Sequence, residues 1–87
     1  MTITDSMSVT DLTSLVEMLL SMRVTAHTTS CLANHMGRDG IEDFADDVVE
    51  EIDRRLSGIS NTLRRLPADR DARQLFDRIE GVGVAHV

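Results

Sequence analysis

Tryptophan, tyrosine and lysine are missing from this chain, and phenylalanine occurs only twice. Without aromatics the core has to come from Leu, Ile, Val, Met and Ala. That palette suits helix packed on helix better than a sheet, whose strands favour aromatic and β-branched residues. The single cysteine, Cys31, excludes an intramolecular disulfide, so nothing calls for an oxidising compartment. No uninterrupted apolar run is long enough to span a bilayer. The opening MTITDSMSVTD has no cationic start followed by an apolar run and does not read as a signal peptide. A cytoplasmic protein without membrane contact is the expectation. Basic charge is scarce: nine Arg stand against fifteen Asp and Glu, for a net charge of −6. A duplex-binding domain is normally basic on at least one face, so nucleic acid is an unpromising partner. Arginine without any lysine points to the codon usage of a GC-rich bacterial genome.

Chemical motifs are equally scarce. The sequence has no Gly-rich phosphate loop, no nucleophile elbow and no HExxH, and no family signature stands out. Eighty-seven residues make one domain with a thin core, since small domains bury a smaller fraction of their surface. Two long helices with such a core do not readily enclose a substrate-sized pocket. The expectation is therefore a protein that is not an enzyme and needs no cofactor.

What is present is helical periodicity. Residues 1–7 carry none and are expected to fray, leaving a single helical domain over 8–81 and a small apolar tail over 82–87. A first helix is predicted from about residue 9 to 36. Ser8 and Thr10 are both suitable N-caps, with Asp11 three residues after Ser8, and Leu12, Leu15, Val16, Leu19, Met22 and Ala26 recur at helical spacing. Gly37 suits the position just past its end. After the short GRDG connection, in which Asp39 is a candidate cap, a second helix is predicted from about 41 to 66. Its seam is Ile41, Phe44, Ala45, Val48, Ile52, Leu56, Ile59, Leu63 and Leu66, within a stripe about 120° wide. A short link between two long amphipathic helices makes an antiparallel hairpin the expected form. Pro67 stops the second helix or opens a third, from about 68 to 80, with Ala72, Leu75, Phe76 and Ile79 on one side. The fold is thus an all-α hairpin with a short third helix. The seam of Leu19, Phe44, Val48, Ile52, Leu56, Ile59 and Leu63 is assigned to core or dimer contact. Its apolar surplus favours a homodimer forming a four-helix bundle.

Three features bear on function. First, His27, Cys31 and His35 follow one another at intervals of four, stacked along one helical stripe. One pair at that spacing can chelate zinc or copper. The outer two are about 12 Å apart along the axis, so all three cannot close on one ion. Packing at the edge of the first helix's apolar face is the plainer reading, with no metal bound; a metal or thiol sensor through His27 and Cys31 is a weaker alternative. Second, Arg23, Ser30 and Asn34 share a side with Leu12, Val16 and Leu19, giving the first helix a mixed face suited to a partner's polar surface. Third, the second helix is segregated in charge. Residues 39–53 hold eight acids and no base, and 54–65 hold four Arg and no acid. Part of this complements the helix dipole, but the acidic block also suits docking to a basic protein surface.

These features favour a non-catalytic protein-binding module. It would be a small bacterial regulator of the anti-activator, antitoxin-like or co-chaperone kind, with Arg23, Asn34, Asp43, Asp46, Asp47 and Glu50 as contact residues. The main alternative is a DNA-binding regulator. LSGISNTLRRL, residues 56–66, resembles the turn and recognition helix of a helix-turn-helix, with Gly58 at the turn. Against that reading, Pro67 stops the candidate recognition helix about two turns after Ser60, the acids before it repel phosphate, and the apolar period runs through without a break.

Overall fold

In a computed structural model, which describes residues 8–66 and 69–84, the chain is three helices: α1 (Val9–His35), α2 (Asp39–Arg64) and α3 (Arg70–Gly81). The described residues contain no strand. The expectations for residues 1–7, for Pro67 and for the last three residues of the tail lie outside the described residues.

Local chemistry sets the helix ends. The Ser8 hydroxyl oxygen accepts from the Asp11 N–H at 3.1 Å, satisfying one of the orphan donors of α1. At its far end Gly37 takes φ +71°, a left-handed conformation that costs glycine little. Its N–H donates to the Asn34 carbonyl at 3.1 Å, and the Arg38 N–H donates to the Ala33 carbonyl at 2.8 Å. That bond pair is a Schellman stop. It also turns the chain so tightly that α2 starts at Asp39, two residues earlier than the periodicity suggests. Asp39 is therefore inside the helix rather than its cap; Arg38 takes the cap position without a side-chain bond. Asp69 caps α3, its Oδ1 accepting from the Ala72 N–H at 3.1 Å.

The core sits at one end of the hairpin. Leu12, Val16 and Leu20 of α1 meet Ile52, Leu56, Ile59 and Leu63 of α2, and α3 closes the cluster with Ala72, Leu75 and Ile79. Val84, in the expected tail, is also buried there. Polar ties fasten α3. The Ser60 hydroxyl, fully buried, donates to Glu80 Oε1 at 2.8 Å, and Arg78 pairs with Glu17 of α1 at 2.8 Å. Arg64 lies over the Phe76 ring, 5.5 Å from its centroid.

The second half of α1 and the first half of α2 extend beyond this core as a two-helix arm, in a molecule measuring 48 × 25 × 21 Å. The side chains buried between the arm helices are small: Ala26, Ser30, Ala33 and Ala45. No large aliphatic residue is buried there, so the arm's share of the hydrophobic stabilisation is slight.

Candidate interaction surface

Two polar bonds hold the arm and fix its register. Arg23 Nε donates to Asp53 Oδ1 at 2.6 Å, and a second guanidinium nitrogen reaches Oδ2 at 3.4 Å. The hydrogen bond to Asp53 is the main reason the Arg23 pKa lies above its ordinary value, with the carboxylate's charge adding to it and partial burial opposing it. About two helical turns further out, the buried Ser30 hydroxyl donates to Asp46. Arg23, expected to meet a partner, thus spends its guanidinium inside the chain. Much of the mixed face of α1 is polar because α2 answers it with carboxylates.

Asn34 is exposed, and the register of the two bonds puts it level with Glu42. Asp43, Asp46, Asp47 and Glu50 are all exposed. At about 100° per residue they fall in one sector of α2 about 100° wide, with Asp43, Asp47 and Glu50 facing outward and Asp46 at its inner edge bonded to the buried Ser30. Asp39, Glu42, Asp43 and Asp47 make no ion pair among the described residues, and Glu50 comes only within 3.9 Å of Arg54. The arginines nearby are committed elsewhere: Arg54 and Arg55 both bond Glu51. The arm therefore carries an acidic face without basic counterparts.

Beside it lies an apolar groove. Its floor is Ala26 and Ala45, and Met22, Phe44 and Val48 form its walls together with Thr25 and Thr29. Thr29 continues it toward the arm's tip, where Leu32, Met36 and Ile41 line it. The Thr25 and Thr29 hydroxyls donate to the carbonyls of Ser21 and Thr25, so they add no unsatisfied donor to the groove. Phe44 is 70% exposed, Met36 67% and Met18, one turn before Met22, 62%. The seam of α2 is accordingly split. Ile52, Leu56, Ile59 and Leu63 are core, Val48 and Leu19 are half-buried against it, and Ile41, Phe44 and Leu66 are solvent-facing.

Sequence reasoning named Phe44 and Met22 as apolar-face residues but missed Met18, Leu32 and Met36. The signal was there: Met18, Met22, Thr25, Thr29, Leu32 and Met36 fall within about 80° of one another around α1.

The remaining candidates are separate from this surface. His27 and Cys31 are exposed rather than tucked beside the seam, with Nε2 and Sγ 3.9 Å apart; His35 is exposed at the last turn. Among the described residues no three His, Cys, Asp or Glu side chains come together as a metal site. The turn needed by a helix-turn-helix does not form, because α2 is helical straight through Gly58 and buries Leu56, Ile59 and Leu63. No helix among the described residues is long and apolar enough to cross a membrane. The fold and surface define an all-α hairpin with a polar-bonded arm. No family model, no curated protein and no solved structure matches the chain.

Proposed function

We propose that the protein is a non-catalytic protein-binding module whose arm docks on a basic protein surface. It would act as a small bacterial regulator of the anti-activator, antitoxin-like or co-chaperone kind, working in the cytoplasm without a cofactor. The observation that carries this reading is the outward acidic sector of α2. Asp43, Asp46, Asp47 and Glu50 crowd like charges together, and among the described residues the one cation near them is Arg54, 3.9 Å from Glu50. Like charges one turn apart on a helix are mildly unfavourable. A basic partner would relieve that repulsion, steer the encounter and fix its orientation. Duplex DNA is disfavoured on the same ground, since this sector repels phosphate.

The test is retention of proteins from a native lysate on the immobilised chain, compared with its Asp43→Arg/Glu50→Arg variant. Both positions are exposed, so the variant's helical circular dichroism should match the wild type. A basic protein should be held by the wild type, lost by the variant and released by raised salt. Retention of nucleic acid alone, or equal retention of every protein by the variant, would sink the reading.

A further inference from the structure

The apolar groove is a separate matter from the acidic sector, and its occupant can be argued from the symmetry of its own lining. We infer that a second copy of this chain covers it, its α1 antiparallel to α1 and its α2 antiparallel to α2 about one two-fold axis.

The argument begins with the register. Arg23 bonds Asp53 and Ser30 bonds Asp46, so each level of the arm is occupied by residues whose numbers add to 76. Thr25 of α1 is thus level with position 51 of α2. A two-fold axis through that level acts on both helices at once. On α1 it sets Thr25 beside its own copy, Met22 against Thr28 and Thr29, and Met18 against Leu32. The stripe is nearly palindromic: small at the crossing, large on both sides. On α2 the same axis sets Phe44 of one copy over Gly58 of the other, Asp47 against Arg54 and Arg55, and Glu51, neutralised by Arg54 and Arg55 of its own chain, beside its own copy.

Gly58 gives the second observation. A glycine in a helix interior is costly relative to alanine, and among the described residues nothing packs against Gly58 to require it. It is exposed, and a Cβ built there meets no atom within 4 Å. The Phe44 ring of a second copy would occupy that space. Charge supplies the third. Asp47 and Arg54 fall on one line of α2 within about 20°, acid first and base after, and this line runs beside Phe44. An antiparallel copy pairs acid with base, whereas a parallel copy would pair like with like.

Area agrees. In this register α1 overlaps its copy over residues 15–35, about 31 Å, and α2 over residues 39–63, about 37 Å; at about 10 Å across they present a face of about 700 Å², within the range of an ordinary stable interface. Between Met18 and Met36 α1 carries a single Lys, Arg, Asp or Glu, and that residue, Arg23, is bound to Asp53. The α1 half of the face is therefore uncharged apart from one paired group. Asp43 and Glu50 stay outward in such a dimer, one acidic sector per copy at opposite ends.

Sedimentation equilibrium of the purified chain from about 1 to 200 µM tests this. The expected species is twice the 9.6 kDa chain. Met22→Asp/Phe44→Asp should be monomeric with unchanged helical circular dichroism, since both positions are exposed in the single chain and a charge there remains solvated. Gly58→Gln should give a more stable helix yet raise the dissociation constant tenfold or more, opposite signs that a role within one chain would not produce. Asp47→Arg should raise the dissociation constant about fivefold at low salt and little at high salt. A monomer across the whole range overturns the inference. So does a dimer that survives Met22→Asp/Phe44→Asp, or a Gly58→Gln variant that associates as tightly as the wild type. All of these measurements use purified protein alone, so their outcome is independent of the lysate experiment.

Discussion

Replacing Arg23 by Met should destabilise the protein by about 2 kcal/mol, and the reasoning runs through burial. The Asp53 side chain is 9% exposed and that of Arg23 21%. A hydrogen bond between charged groups contributes about 1.5–3 kcal/mol net, and breaking a fully buried ion pair costs about 3–5 kcal/mol. Partial solvent access at Arg23 places this pair below the buried range. Met keeps most of the aliphatic stem, so lost packing adds little. A domain of this size has about 4–13 kcal/mol of total stability. A loss of 2 kcal/mol would lower Tm by roughly 8–16 °C. Urea unfolding followed by circular dichroism, at one fixed protein concentration, reads the change as a shift in midpoint at constant slope. The sharper measurement adds Asp53→Leu and the double variant. Each single change leaves one charge behind in a partly dry site, whereas Arg23→Met/Asp53→Leu leaves none and should recover at least half of the loss. The pH dependence has a definite sign. A raised Arg23 pKa adds stability that is full below the ordinary arginine range and is lost only as pH climbs through it. The wild-type advantage over Arg23→Met should therefore be flat between about pH 6 and pH 9. A cost under about 0.5 kcal/mol, or strictly additive single variants, would refute the claim that this pair holds the arm to the body.

Other expectations follow from the same structure. Leu56→Ala, at a fully buried position, should cost about 2–5 kcal/mol in urea unfolding. Ser8→Ala should cost about 1 kcal/mol by removing the α1 cap. Gly37→Ala should cost about 1 kcal/mol, because φ +71° strains any residue with a Cβ. For the His27–Cys31 pair the expectation is negative: elemental analysis of the purified protein should find no stoichiometric zinc, iron or copper, and chelator should leave Tm unchanged. One metal per chain, lost on changing His27 and Cys31 together, would overturn it.

How much of this was legible from sequence differs along the hairpin. At the core end a single period decided everything. Ile52, Leu56, Ile59 and Leu63 recur at three and four, their α1 counterparts Leu12 and Val16 do the same, and burial follows from spacing alone. The cap at Ser8 and the stop at Gly37 were legible because each residue type suits only a narrow range of backbone geometry. In the arm the same apolar pattern misled in detail. Phe44 and Ile41 continue the α2 seam, yet the α1 residues buried in the arm are Ala26, Ser30 and Ala33, too small to cover them. Periodicity tells which side of a helix is apolar. It does not tell whether the neighbouring helix can cover that side. Polar positions within a seam are the local sign that coverage fails, and Arg23 and Ser30 carried it.

The two ends of the hairpin are thus held by different physics, and the difference bears on what each can do. At the core end apolar burial is non-directional and large, so α1, α2 and α3 are fixed there by shape. In the arm the ties are two directional bonds across a ladder of Ala and Ser. Such an interface sets register with great specificity while contributing little hydrophobic stabilisation. A register fixed by Arg23–Asp53 and Ser30–Asp46 fixes in turn which exposed groups lie level with one another, and so the spacing of the acidic sector and of the groove. Substituting either bond should therefore disturb recognition even where the helices survive. Ser30→Ala isolates that effect: it fits the small-residue ladder, keeps helix propensity and leaves the exposed Asp46 free to turn to solvent. Its cost to stability should be about 1 kcal/mol. Its effect on self-association, read by sedimentation, should exceed that, because two arms lose their register in each dimer. Equal losses in the two measurements would mean that the arm's surface does not depend on the bonds beneath it.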